Sequence, residues 1–531
     1  MPYAYPLTSR RARIAAILLT GLALTACASS DLSDQQLDEL AAGTLAVFDP
    51  YRCPFEVYEG EEIDCGYLIV PEDRSDPDTL EVELAVAILR SPNPNPAPDP
   101  ILYLSGGPGD SALSEVDLWL ESPLLEDRDV ILLDQRGTGY SIPTLNCPEI
   151  EVLDYWDEVT VDDEADAAAE CSQRLVDEGV VLTTYNSAAS AADVDALRRA
   201  LGYDAWNLIG ISYGTRLALT VMRDYPQGIR SVILDSTYPP EVQAYEEGAV
   251  NGLRAFEVLF TDCATDPTCN AAYPDLRAVF LQLVADLNHH PVTISVDDPE
   301  YSDPYDVEIN GDALSDELFD ALYDTVVIPY LPYVIYETGQ GRYDALSRLV
   351  AGTLAGGVPE SEALGPANAL QDLVDSLWGE QDFEDSEGAY YSVECREEFP
   401  FNALPKAEAA AADIPQVLHD SLLYDTYLMA EACAVWGAGE ADPVENTAVQ
   451  ADIPTLVMAG EYDPITPPGW GRSAAQHLTN VTFYEYPGVG HAAIDGGDCP
   501  LGMAAAFLNN PTTPPDDSCI ARMDGPAFYV P

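Results

Sequence analysis

Short, almost wholly apolar runs alternate with longer stretches of helical spacing along much of this chain. The runs are 81–89, 101–104, 130–133, 205–209, 231–235, 454–459 and 481–486. A strand buried on both faces reads as a continuous run rather than as a period-two alternation. Between these runs, residues 190–201 put Val194, Leu197 and Leu201 on one helical face, and Gly202 stands where a left-handed cap is needed. Residues 215–223 read as a second helix. Strands alternating with helices predict an α/β architecture, a mostly parallel sheet flanked by helices. The pattern breaks from about 239 to 449, where the chain is acidic, Ala/Leu-rich and helical in spacing, apart from a small β excursion near 292–307. That stretch predicts a large, mainly helical cap inserted over the sheet. The domain reading is a leader (1–27), a tether and lead-in segment (28–50), core (51–240), cap (241–450) and core again (451–531).

The ends of the predicted strands carry the candidate chemistry. The strand at 205–209 runs into Gly210-Ile211-Ser212-Tyr213-Gly214 and then directly into a helix. A serine on such a turn stands clear of the sheet, and the flanking glycines let strand and helix approach closely. A serine hydroxyl is a weak nucleophile and needs a base, itself oriented by an acid. Of five histidines, only His491 follows a strand and a Gly-rich loop near the C-terminus. Asp463 follows the strand at 454–459 in a Gly-x-x-Asp-Pro turn. In an open α/β sheet such strand ends share one edge, so the three side chains can converge. A tetrahedral oxyanion then needs two backbone donors. The expected pair is the N–H of Tyr213 and that of Gly107, since Pro108 has none. The stretch Gly137-Thr138-Gly139 completes no dinucleotide fingerprint, and Arg136 is expected to hold that loop by hydrogen bonds.

Composition changes the picture in two ways. Among 531 residues, 92 are acidic and 22 basic, a formal net charge of −70, and Lys406 is the single lysine. Phosphate would be repelled, which excludes nucleic acid as a partner. Arg10, Arg11 and Arg13 precede an apolar run at 14–25 that is too short to span a bilayer. It ends in Leu24-Thr25-Ala26-Cys27, which resembles a bacterial lipobox. The expectation is diacylation of Cys27 as the new N-terminus, with an ordinary secretory signal cut near Ala26 as the alternative. Either route exports the chain, and acyl chains on Cys27 would be its sole membrane contact. Export makes the other ten cysteines disulfide candidates. Pairing of sequence neighbours is expected: Cys53 with Cys65, Cys147 with Cys171, Cys263 with Cys269, Cys395 with Cys433, Cys499 with Cys519. No cofactor and no metal are called for.

Taken together, Gly106-Gly107-Pro108-Gly109, Asp134-Gln135-Arg136-Gly137-Thr138-Gly139-Tyr140-Ser141 and Gly210-Ile211-Ser212-Tyr213-Gly214-Thr215-Arg216 stand in the order found in prolyl and tripeptidyl aminopeptidases. From about Tyr51 to Cys519 the chain resembles their secreted tripeptidyl-aminopeptidase-like branch. Gly460-Glu461-Tyr462-Asp463-Pro464-Ile465-Thr466-Pro467 and Val393-Glu394-Cys395-Arg396-Glu397 carry the likeness further. The resemblance implies an α/β-hydrolase fold and a Ser212–His491–Asp463 acyl-enzyme mechanism. It also implies an exopeptidase acting on peptides with a free N-terminus, releasing tripeptides or single residues. In the prolyl relatives cap carboxylates bind the substrate α-amino group, which makes Glu397 the first candidate anchor, with Glu394 and Glu398 behind it. The likeness departs at Ser105, where the prolyl enzymes carry histidine. The rival readings are an esterase or lipase with the same triad, and a non-catalytic surface binding lipoprotein.

Overall fold

A computed structural model describes residues 46–58, 60–76, 79–155, 159–297, 304–354 and 385–531. The leader, Cys27 and nearly all of the tether lie outside the described residues. Ala46–Asp73 and Leu80–Pro531 form one compact unit.

Nine strands build the main sheet: β1 (Val47–Pro50), β2 (Ile63–Pro71), β3 (Glu81–Leu89), β4 (Ile101–Leu104), β5 (Val130–Leu133), β6 (Trp206–Ile211), β7 (Ile229–Asp235), and, after the hairpin of β8 (Val292–Val296) and β9 (Tyr305–Ile309), β10 (Thr455–Gly460) and β11 (Val481–Tyr486). Their order is β1-β2-β3-β5-β4-β6-β7-β10-β11. From β5 to β11 every pairing is parallel, whereas β1, β2 and β3 join antiparallel at one side. β4 and β5 are buried along their whole length, as their unbroken apolar runs require. The sheet starts at Val47, inside the segment read as tether. Its first strand is mostly exposed and pairs with Ile69 to Gly66, and within it Phe48 packs against the core, too little for an apolar run to announce it.

The helix Ser187–Leu201 closes at Gly202 in the left-handed conformation, φ 78°. Arg136 bonds Asp193 on that helix at 2.7 and 3.0 Å, and also the carbonyls of Glu72 and Thr184. Between β7 and β10 the chain leaves the sheet. The helices Ala244–Thr265, Leu276–His289, Glu387–Glu397 and Tyr424–Trp436 make up much of this insertion, together with the β8–β9 hairpin. It has a core of its own, in which Phe256 and Phe280 stack at 5.1 Å. Five disulfides join Cys53–Cys65, Cys147–Cys171, Cys263–Cys269, Cys395–Cys433 and Cys499–Cys519. Among the described residues no helix is long and apolar enough to cross a membrane.

Candidate active site

Ser212 sits between β6 and the helix Tyr213–Asp224 with φ 55° and ψ −126°, a conformation costly for any residue with a Cβ. The turn is tight enough to exclude side chains beside it. A Cβ on Gly210 would stand 2.4 Å from Gly214 O, and one on Gly214 would stand 1.9 Å from Leu104 O. The backbone is pinned by Ser212 N–H donating to Asp235 O at 3.1 Å and Thr215 N–H donating to Ser212 O at 2.9 Å. Among the described residues the Ser212 hydroxyl has no hydrogen-bond partner. The N–H groups of Tyr213 and Gly107 likewise meet no acceptor there, as donors reserved for an oxyanion must.

Asp463 follows β10 and His491 follows β11. His491 Nδ1 lies 2.9 Å from Asp463 Oδ2. Thr466 donates its hydroxyl to the same oxygen at 2.7 Å, and its N–H and that of Ile465 donate to Oδ1 at 2.8 and 3.1 Å. Burial pushes the Asp463 carboxyl up, but the His491 charge and these hydrogen bonds prevail and hold it below its ordinary value. Burial opposes the His491 imidazolium, yet the Asp463 charge and hydrogen bond outweigh it. Asp235 and Asp110 add to that pull, so its pKa is raised.

Asp235, the last residue of β7, links the serine to the histidine. Its carbonyl takes the Ser212 N–H, while its carboxylate accepts the N–H groups of Ala493 and Ile494 at 2.8 and 2.6 Å. Ser236 Oγ accepts the Ala492 N–H at 2.9 Å. The chain on both sides of the nucleophile is therefore tied to one strand end.

The cap is bonded directly onto this machinery. The Tyr323 ring packs on His491 at 4.9 Å, and Tyr323 O accepts the His491 N–H at 2.9 Å. Thr325 Oγ1 accepts the Gly490 N–H at 3.0 Å. On the other side, Ser386 N–H donates to Gly109 O at 3.1 Å. Arg254, on the helix Ala244–Thr265, donates to Glu461 O at 2.7 Å and to Asp463 O.

The three cap glutamates, the candidate amine anchors, are all buried and all accept hydrogen bonds from the protein itself. Glu397 is buried, takes the Ser187 N–H at 2.5 Å and lies 3.7 Å from Arg216. Glu398 takes Arg216 Nη1 at 2.7 Å, the Ala244 N–H and the Asn402 amide. Glu394 is hydrogen-bonded by Tyr238 and Tyr245, and burial pushes it up to about 7. Protein donors already occupy these carboxylates, which clamp the cap to the helix Tyr213–Asp224 through Arg216. Removing one partner of a buried ion pair costs about 3–5 kcal/mol. Arg216→Met should therefore lower the urea midpoint sharply, whereas Glu397→Gln should alter kcat/KM for free-amine and acetylated peptides alike.

Sequence reading brought out Ser212, Asp463, His491, Tyr213 and Gly107 but not Asp235, Ser236, Thr466, Tyr323 or Arg254. A motif-free strand end gave the only signal for Asp235, and Tyr323 and Arg254 act from a segment with no local pattern.

Two protein families match the chain: "alpha/beta hydrolase fold" over residues 99–292 and "TAP-like protein" over 421–519. The chain is 27% identical over 477 residues to "Serine protease Hip1" of Mycobacterium tuberculosis, covering 85% of this chain and 86% of that protein. It is 25% identical over 480 residues to "Carboxylesterase B" of the same species, covering 85% of each. A shorter match, 30% identical over 198 residues, is to "Tripeptidyl aminopeptidase" of Streptomyces coelicolor, covering 34% of this chain and 36% of that protein.

Proposed function

Because the chain belongs to the α/β-hydrolase peptidase family and is a serine hydrolase, we propose that it is an exported exopeptidase releasing short N-terminal units from peptides. The observation that carries this reading is the cap strapped to both sides of the nucleophile. Tyr323 and Thr325 bond the histidine loop, and Ser386 bonds the Gly106–Gly109 loop. A roof bonded to the catalytic loops suits a substrate that enters by a chain end. The short match to a tripeptidyl aminopeptidase favours the N-terminal end and a short leaving unit.

In the reaction, His491 takes the Ser212 proton as Oγ attacks the scissile carbonyl, and returns it to the leaving amine. Asp463 fixes the imidazole tautomer and stabilises its cation. The Tyr213 and Gly107 N–H groups receive the oxyanion. Water then repeats the sequence on the acyl-enzyme. Five disulfides suit an oxidising compartment. Acyl chains on Cys27 tether the protein there, which the mass of the mature N-terminal peptide tests.

The deciding experiment is a panel of aminoacyl, dipeptidyl and tripeptidyl fluorogenic amides, each free and N-acetylated, beside short acyl esters. The expected result is at least about tenfold higher kcat/KM for free-amine amides than for acetylated ones. Turnover of the esters alone would make the chain an esterase, and cleavage inside blocked peptides would end the exopeptidase reading.

A further inference from the structure

We infer that Arg254 of the cap is a positioning residue for the catalytic acid: its guanidinium grips the turn that carries Asp463 by two backbone carbonyls and so sets the bond from Asp463 to His491. The inference rests on the chain being a serine hydrolase and not on which substrate it takes.

Asp463 is fully buried and precedes Pro464, so the peptide that follows it offers no N–H to tie the turn down. A donor comes from the cap instead. Arg254, on the helix Ala244–Thr265, donates through Nη1 to Glu461 O at 2.7 Å and through Nη2 to Asp463 O. A planar guanidinium holds two acceptors in one fixed geometry, which a lysine ammonium does not. Between the two gripped carbonyls stands Tyr462. It is buried within the core of the cap and donates its hydroxyl to Asp262 Oδ2 at 2.6 Å. Asp262 lies on the same helix, about two turns beyond Arg254. One cap helix therefore holds Glu461, Tyr462 and Asp463 together, and it is part of the catalytic frame rather than a lid over it.

The same turn supports the histidine. The Glu461 carboxylate accepts the Gly488 N–H at 2.9 Å, and the Tyr462 N–H donates to Val489 O at 2.8 Å. Gly488 and Val489 belong to the loop that ends in His491. A tilt of the acid turn thus shifts acid and base together, while Ser212 stays tied to Asp235 at the end of β7. Arg254 is held there against its own preference. Its Nε is buried and meets no acceptor among the described residues, and burial lowers its pKa against the pull of Asp463, Glu485 and Glu461. A buried cation with an unused donor destabilises the fold, and an apolar side chain would fill the same place without that penalty. What the guanidinium supplies in return is the pair of bonds to the acid turn.

The test compares the full chain with Arg254→Lys and Arg254→Ala, using the rate at which a fluorophosphonate labels Ser212. The limiting rate of labelling should fall about tenfold in the lysine variant and about 10²-fold in the alanine variant. The concentration that half-saturates labelling should not change, because Arg254 does not touch the probe. The downfield proton resonance of the His491 Nδ1–H reads the bond to Asp463 directly, and it should move upfield in both variants. Guanidinium chloride at millimolar concentration should restore the alanine variant at least about threefold over sodium chloride of equal ionic strength, the worth of one net hydrogen bond. Arg254→Lys keeps the cation and its stem, so it carries the test even where the alanine variant fails to fold. A parental limiting rate and an unmoved resonance in Arg254→Lys would overturn the inference. So would a loss confined to the fraction of protein that can be labelled, with the remainder reacting at the parental rate, since that marks a residue that merely holds the fold. Loss of labelling in the variants with no peptide amide hydrolysed by the parent would reject the exopeptidase reading and leave the role of Arg254 standing.

Discussion

Replacing Ser212 with alanine should lower kcat by about 10⁶ while leaving the melting temperature close to that of the parent protein. The size of the loss follows from the division of labour. With the hydroxyl gone, His491 has no proton to accept and Asp463 no cation to stabilise, so the whole unit fails together. What remains is binding and the Tyr213 and Gly107 donors, which alone support about 10³-fold over water. Folding is spared because the Ser212 hydroxyl bonds nothing among the described residues. The strained φ of 55° is paid by alanine as it is by serine. Active-site titration with a fluorophosphonate, beside a thermal melt, reads both halves. Labelling of the Ser212→Ala variant at the parental rate would move the nucleophile elsewhere, and a collapsed melt would make the serine structural.

The parallel half of the sheet was legible because burial on both faces writes itself as unbroken apolar runs, as in Ile101–Leu104 and Val130–Leu133. The turns after those runs were legible because the elbow admits only glycine at 210 and 214, where neighbouring backbone lies within 2.4 Å of any Cβ. The antiparallel edge at Val47 was not, since a short, mostly exposed strand with Phe48 as its contact to the core leaves no apolar run. Nor could the sequence tell which acids are inside. Glu397 stands in a stretch that resembles a cap motif, but nothing local shows that it is buried. Its partners within the protein, Ser187 and Arg216, are 210 and 181 residues away. Asp235 carries no motif at all, yet it fixes both the Ser212 and His491 segments. In a chain this acidic, enclosure is what separates a working carboxylate from a solvating one, and enclosure is a property of the tertiary structure.

Asp463→Asn should lower kcat/KM by about 10⁴ and move the acid limb of its pH profile to lower pH. In the parent protein His491 must be neutral to accept the Ser212 proton, so activity falls as pH drops through the imidazole pKa. That pKa is raised, because the Asp463 charge and hydrogen bond outweigh burial. The acid limb of the parent therefore lies above pH 6.5, the ordinary histidine value. Asparagine removes the charge but leaves the burial, which disfavours the imidazolium and drops the pKa. It can also present its NH₂ to Nδ1, which puts the remaining proton on Nε2 and leaves no lone pair facing Ser212. The Ile465 and Thr466 N–H groups still find the asparagine carbonyl, so the loop has no reason to unfold. A lost rate with an unmoved acid limb would mean that Asp463 does not set the state of His491, and the acid would then have to be sought at Asp235, whose charge also reaches the imidazole.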